Sequence, residues 1–403
     1  MLSICIPNYN RLKELEQLIN TIMVQIKEDD LYQEVELCIS DDCSSENPTR
    51  MIETFIACNA KISIKYCRND INKGMDFNFL QSVLMASKKY VWIIGNDDVP
   101  EEHGIKSVLE TLKKYANLDF LVAPFDTYGS NGEFISTIYP FKNAWKEELF
   151  ITDNIESRSR FFKRINGNTA LFDFLSNVVF KRENWIMNIN RFSDKMNTIF
   201  IQVYYNMYTF NNGSRYLYSP IKFIKQYNDE KTNETFERNF GIVKGLHEVV
   251  DFFFDGDENR FLHNIWVDIF VSGKLWETED EEKLEYIKAI SSDKINLYNK
   301  CYVKKKYLRD QFQGKNVVIY GGGKLGQQAL VELRNCDAVV KYICDSEETK
   351  HGQDIDGIAI QSPSFLLDNE KDVDYIVVAN RRNFVEIVKE LYVNGINKIK
   401  VIN

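Results

Sequence analysis

The sequence predicts an α/β protein in which two sheet-containing domains flank a helical connector. Three observations predict it. Apolar strand-like runs alternate with amphipathic helix-like runs over residues 1–98; the strands of that region end in polar or acidic loops; and a second strand–glycine turn–helix unit occupies residues 311–403. Alternation of this kind gives a parallel sheet with helices on both faces, and ligands bind at the carboxyl ends of such strands. A chain of 403 residues exceeds what one hydrophobic core holds, so two or three domains are expected.

The elements follow in order. "LSICIPNYN" is an apolar strand running into a polar loop. "RLKELEQLINTIMVQI" places Leu12, Leu15, Leu18, Ile19 and Ile22 at helical spacing. "VELCISDDCSSE" is a buried strand ending in two acids, "RMIETFIACNA" a helix and "ISIKYCRND" a third strand. "MDFNFLQSVLMASKKY" is a helix and "VWIIGNDD" a fourth strand; another helix and strand follow up to Gly129. Residues 130–230 are less regular and rich in aromatics. There "FLSNVVFKRENWI" reads as a strand and a helix start, whereas "MNTIFIQVYYNMYTF" fits helix or strand. Residues 231–310 read as mostly helical, with "VKGLHEVVDFFF" and "DEEKLEYIKAI" the clearest segments. The expected domains are therefore 1–230, a connector over 231–310, and 311–403.

Composition narrows the function. The net charge of -9 argues against a general nucleic-acid binder, which needs basic surface against phosphate. The 27 Phe and 21 Tyr point to large cores, and to sugar-stacking or membrane-contact surfaces. Met1 leads directly into "LSICIP" without a basic leader, and no run approaches membrane-spanning length. Eight cysteines without a CxxC pair read as free thiols of a reducing compartment, so a cytoplasmic protein is expected.

Two readings are open for "IIGNDDVP". Asp98 caps the next helix, with Pro100 and two glutamates in its first turn. Alternatively, adjacent carboxylates at a strand end hold a divalent cation that shares phosphate ligands with a substrate. The combination favours the second. "ICIPNYNR", "ISDDCSSE", "NDINKGMDFNF" and "IIGNDDVP" occur in this order, each after a strand. Together they resemble the GT-A fold of family-two glycosyltransferases, in particular the abequosyltransferase-like group. "FLSNVVFKRENW" resembles that group's second half, and the resemblance covers about residues 1–220.

The resemblance implies that residues 1–230 form a GT-A domain binding a nucleotide-sugar. It places Pro7, Tyr9 and Arg11 in the nucleotide pocket, Asp41 or Asp42 on the base or ribose, and Asn72, Gly74 and Asn96 near the donor. Asp97 is then the ligand of Mg2+ or Mn2+, with Asp98 on the metal or the sugar and also a catalytic candidate. The family's first DxD acid is replaced here by Gly95 or Asn96, depending on alignment. For the general base of an inverting transfer, Asp194 in "RFSDKMNTIF" is the first choice and Asp173 the second.

The C-terminal "VVIYGGGKLGQQAL" carries G-x-G-x-x-G at Gly321, Gly323 and Gly326, after a strand and before a helix. Asp345 ends the next strand, where an acid meets a ribose hydroxyl. This small Rossmann-like module resembles those attached to sugar-nucleotide acyltransferases and other sugar-modifying enzymes. Nucleotide binding and a structural or oligomerising role both stand.

The resulting expectation is a glycosyltransferase, moving a hexose or deoxysugar from a nucleotide-sugar to an oligosaccharide or polyprenyl-linked glycan of a lipopolysaccharide or capsule. Membrane contact is then peripheral, at the inner face, and the C-terminal module is the natural homo-oligomer interface. The rivals are an NAD(P)-dependent sugar-nucleotide oxidoreductase using the C-terminal module, and a non-catalytic assembly protein.

Overall fold

The computed structural model describes residues 1–142, 144–227, 236–254, 301, 303, 307–380 and 384–401. The chain divides into two compact units, Met1–Asn259 and Arg260–Asn403.

The first unit opens with β1 (Leu2–Asn8), α1 (Leu12–Glu28), β2 (Val35–Asp41), α2 (Thr49–Cys58), β3 (Ser63–Arg68), α3 (Met75–Met85) and β4 (Tyr90–Ile93). The strands pair in parallel in the order β3-β2-β1-β4, so their carboxyl ends share one edge. The central strands are continuous apolar runs because helices cover both faces. Helix α1 turns Leu15, Leu18, Ile19, Ile22, Met23 and Ile26 into the core, and each such side chain contributes about 1.5–3 kcal/mol.

The unit continues with β5 (Asp98–Pro100), α4 (Gly104–Lys114), β6 (Phe120–Val122), β7 (Phe125–Tyr128), β8 (Phe134–Ile138) and β9 (Glu148–Ile151). Then come α5 (Ile155–Arg164), β10 (Val178–Lys181), α6 (Glu183–Ile186), α7 (Ile201–Asn211), β11 (Arg215–Tyr218), β12 (Ile224–Tyr227) and α8 (Phe236–Phe253). The main sheet extends as β4-β10-β6-β11-β9, with β10 antiparallel to both its neighbours. A second sheet has the order β5-β12-β7-β8. The aromatic-rich stretch makes its own core, in which Phe141, Phe150, Phe161, Phe210 and Tyr216 pack ring to ring. The ambiguous "MNTIFIQVYYNMYTF" is helix α7. Residues Ile201–Met207 are buried throughout, and tertiary packing overrides their weak helix propensity.

The helix-cap reading of Asp98 is corrected. Asp98 lies in β5, and α4 starts six residues later at Gly104, with His103 at its N-cap and no side-chain cap bond. Glu101 and Glu102 precede the helix rather than forming its first turn. The reason is non-local: β5 pairs antiparallel with β12, Pro100 opposite Ile224, which holds residues 98–100 extended. Of the expected connector, α8 belongs to the first unit, and "DEEKLEYIKAI" lies outside the described residues.

The second unit contains β13 (Asn316–Tyr320), α9 (Lys324–Asn335), β14 (Val339–Cys344), β15 (Asp354–Ile355), β16 (Ile358–Gln361), α10 (Pro363–Asp368), β17 (Tyr375–Val378), α11 (Phe384–Val393) and β18 (Ile399–Lys400). Its sheet has the order β15-β16-β14-β13-β17-β18, parallel except for β15. Val317, Ile319, Leu330, Leu333, Ile343 and Val377 form a core of its own. All eight cysteines are free thiols, five of them buried.

Candidate active site

The carboxyl ends of β1, β2 and β4 are laced together by side chains. Asn8, the last residue of β1, donates from Nδ2 to Asp41 Oδ1 at 2.6 Å and accepts from Asn96 Nδ2 through Oδ1. Its carbonyl accepts from Asn78 Nδ2 at 3.1 Å on α3. Asp41 also takes the Ser44 amide at 3.1 Å and the Ser44 hydroxyl, and lies 3.1 Å from Arg68 Nε. Asp42 accepts from Asn69 Nδ2 at 2.8 Å and from the Lys73 and Gly74 amides at 2.9 Å each. Both carboxylates are buried. The protein partners of Asp41 and Asp42 are the end of β1 and the loops that follow β2 and β3. Their effect is to order the segments that surround the strand ends.

The third loop follows the same logic. Asn72 Oδ1 accepts the Gly74 amide at 2.9 Å. Gly74 has φ +91°, and a Cβ there would come within 3.2 Å of Asn197 Oδ1. A side chain would be strained at this entry to α3.

The fourth loop separates its two acids. Asp98 is buried and its carboxylate accepts the Ser176 hydroxyl, whose oxygen in turn accepts the Gly95 amide at 3.0 Å. Burial, then the Asp97 charge, push the Asp98 carboxyl well above the usual range. Asp97 instead reaches solvent, its side chain 37% exposed, and pairs with Arg11 Nη1 at 3.2 Å. Gly95 is fixed by crowding, since a Cβ there would lie 2.9 Å from Asp97 Oδ1 and 3.1 Å from Asp98 Oδ2. A side chain at position 95 would displace the carboxylates of Asp97 and Asp98. Tyr9 stands 47% exposed on the adjoining loop, and Pro7 is half-buried in β1.

Known proteins place this arrangement. The model of the family "Glycosyl transferase family 2" matches residues 3–176, which hold all four loops. Abequosyltransferase RfbV of Salmonella typhimurium is 30% identical over 234 residues, covering 57% of this chain and 68% of that protein. The chain belongs to glycosyl transferase family 2. WcaA of Escherichia coli, named for colanic acid biosynthesis, is 27% identical over 179 residues, 43% of this chain and 60% of that protein. Among solved structures, Staphylococcus aureus TarS 1–349 superposes with a TM-score of 0.51 at 15% identity, covering 83% of this chain and 88% of that one. This likeness carries the GT-A fold for the first unit. A second family model, "C2185-like, N-terminal", matches residues 313–402.

In this glycosyltransferase the two base candidates differ in setting. Asp194 lies on a single 3-10 turn, Ser193–Lys195, with its side chain 69% exposed and 3.3 Å from Lys195. Asp173 precedes Ser176 by three residues, in the segment that the Ser176–Asp98 bond ties to the site. Burial raises its carboxyl to about 7, against the lowering effect of the Phe174 amide at 2.8 Å.

Among the described residues no three His, Cys, Asp or Glu side chains cluster as a metal site. The donor set around Asp97 fits a hard cation only in the form of one protein carboxylate completed by substrate phosphates and water, which is usual for Mg2+. No described helix is long and apolar enough to cross a membrane.

In the second unit, Gly321 has φ +121°, and a Cβ on Gly326 would sit 1.9 Å from the Gly321 carbonyl oxygen. These are the tight turn and the close packing that the glycine pattern calls for. Asp345, however, accepts the Gly322 amide at 2.6 Å and the Glu347 amide at 2.9 Å, with Lys350 Nζ at 3.4 Å. It holds the glycine loop in place.

Asn8, Ser44, Asn69 and Ser176 were not anticipated from sequence. Only Asn8 had a local signal, as the polar residue closing an apolar strand; Asn69 and Ser176 act on acids 27 and 78 residues away.

Proposed function

We propose that this enzyme transfers a sugar from a nucleotide-sugar to a glycan acceptor in the assembly of a bacterial surface polysaccharide, with inversion. The observation that carries the reading is the separation of the two acids. Asp98 is locked below the loop by Ser176, and Asp97 is the carboxylate presented to solvent at the shared strand edge. RfbV and WcaA, named for abequosyl transfer and colanic acid biosynthesis, support the glycan context.

In this reading Pro7, Tyr9, Asn72 and Gly74 frame the nucleotide, and Arg11 faces its diphosphate. Asp97 would hold Mg2+ or Mn2+, which when bound would supply positive charge to the leaving diphosphate. Asp98 acts as a positioning residue. The acceptor hydroxyl oxygen bonds to the anomeric carbon as the bond to the diphosphate oxygen breaks. The electron pair leaves with the nucleoside diphosphate, and the hydroxyl proton goes to a carboxylate. Asp173, raised toward neutrality and tied into the site, suits that role better than the solvated Asp194.

The C-terminal Gly321, Gly323 and Gly326 loop is proposed as a second phosphate- or nucleotide-binding element, on the tight turn at Gly321 and the close approach at Gly326. The assignment of residues 311–403 as a separate module, an action at the inner membrane face and homo-oligomer formation remain part of the proposal.

Hydrolysis of a panel of nucleotide-sugars, with Asp97→Ala beside wild type, tests the reading. We expect one donor class to be turned over and the variant to lose at least about 100-fold in rate. Equal turnover by Asp97→Ala would remove Asp97 from the donor site.

A further inference from the structure

We propose that Tyr227, Tyr128 and Phe134 form the acceptor subsite, a row of rings that takes a saccharide by the apolar faces of its pyranoses. The row is a property of strand register. β5 starts one residue after Asp97 and pairs with β12, Gln226 opposite Asp98. The Tyr227 amide donates to the Asp97 carbonyl at 3.3 Å, so Asp97 and Tyr227 are the next pair along. β12 then sets Tyr227 opposite Tyr128 of β7, and β7 sets Tyr128 opposite Phe134 of β8. Residues paired across strands share a face of the sheet. At the last step the register shifts by a bulge, which re-aims a side chain. It brings the Phe134 ring to 5.9 Å from Tyr128, edge to face. Tyr128 and Tyr227 stack at 5.2 Å with 22° between their planes.

The row therefore begins at Asp97 and crosses three strand intervals, about 14 Å, ending in a ring that is 58% exposed. Both tyrosines are half-buried. An aromatic face is electron-rich, and the C–H face of a pyranose is apolar and weakly positive, so the two stack. The neighbouring register row, Lys225, Asp126 and Thr137, is polar: Lys225 pairs with Glu101 at 3.0 Å, and Thr137 Oγ1 donates to Asp126 at 2.6 Å. An apolar ring face beside a polar row matches a sugar, whose hydroxyls project from the edge of its ring. A protein or lipid partner calls for a broader apolar patch.

The proposal rests on Asp97 marking the donor end of the site. The test uses the full chain. Methyl α- and β-hexosides of gluco, galacto and manno configuration are the probes, with saturation-transfer NMR as the readout. We expect transfer to ring C–H protons of at least one probe. Phe134→Ala and Tyr128→Ala are expected to weaken binding roughly fivefold, and Phe134→Trp to restore it. Nucleoside diphosphate titrated with Mn2+ keeps its wild-type affinity in all three variants. Phe134 is exposed, so its loss leaves the fold intact, which circular dichroism checks.

Absence of saturation transfer in wild type, or unchanged transfer in both alanine variants, overturns the proposal. So does a change of oligomeric mass in Phe134→Ala, which would make this face a protein contact. Failure of the donor reading has a different signature: no nucleotide-sugar is hydrolysed, while the hexoside titration still reports on the row.

Discussion

Asp173 and Glu36 show how one side-chain type is driven in opposite directions. Burial raises Asp173 to about 7, and the Phe174 amide offsets only part of that. A base must be deprotonated to accept the acceptor's proton. The transfer rate is therefore expected to rise with pH and level off above about 7, and Asp173→Asn to lose about 100-fold or more together with that limb. An unchanged pH–rate profile in the variant would assign the limb elsewhere. Glu36, the second residue of β2, is buried, and burial again acts to raise it. Hydrogen bonds from Ser3 Oγ at 2.7 Å and from the Ser87 amide and hydroxyl at 2.6 and 2.8 Å, with Lys65 at 3.1 Å, prevail and bring it to about 2. Because the folded value lies below the ordinary 4.5, Glu36 contributes stability that is full above about 4.5 and is lost as pH falls toward 2. The difference is worth roughly 3 kcal/mol. Denaturant titrations of Glu36→Gln at pH 7 and pH 3 are expected to show a smaller gap than wild type.

Among the elements, the decisive feature is the lacing of β1, β2 and β4 through Asn8. Parallel strands share an edge automatically, but nothing in the backbone ladder fixes the loops beyond it. Asn8 does so with one amide: its nitrogen serves Asp41 and its oxygen serves Asn96. Asn8→Asp keeps the shape, removes the donor and sets a second charge against the buried Asp41. A loss of about 2–4 kcal/mol is expected, read as a drop in the thermal midpoint of the first unit. Donor hydrolysis should fall with it, because the loop carrying Asp97 loses its anchor. A variant with wild-type midpoint and activity would show that the lacing is incidental. Helix α7 is a second case of an element set by a distant group. Its entry places Ile199 at φ +63°, a strained value for a β-branched residue, and the Ile199 amide donates to Asp76 of α3 at 3.0 Å.

At the scale of the molecule, the two units each have their own core. Calorimetry of the full chain is expected to resolve two transitions, since separate cores melt separately unless a large apolar interface joins them. Asn8→Asp should lower only one of them, and a nucleoside diphosphate with Mn2+ should raise that same one. A single transition moved by both would mean that the units unfold as one.

The sequence by itself determined the α/β class, the strand and helix order of residues 1–98, the glycine turn at Gly321–Gly326 and the family resemblance. Each of these is written in local periodicity or short spacing, which survives without knowledge of neighbours. The tertiary structure alone decided which carboxylate faces solvent. Asp41, Asp42, Asp97 and Asp98 are chemically alike and all follow strands, yet three are buried on partners distant in the chain and one is not. It also decided that Asp98 lies in a strand and not in a helix cap, because β12, more than a hundred residues later, pairs with it. The aromatic row from Asp97 to Phe134 has the same origin. Hydrogen bonding, burial and strand register are set by residues far apart in sequence, and no local pattern encodes them.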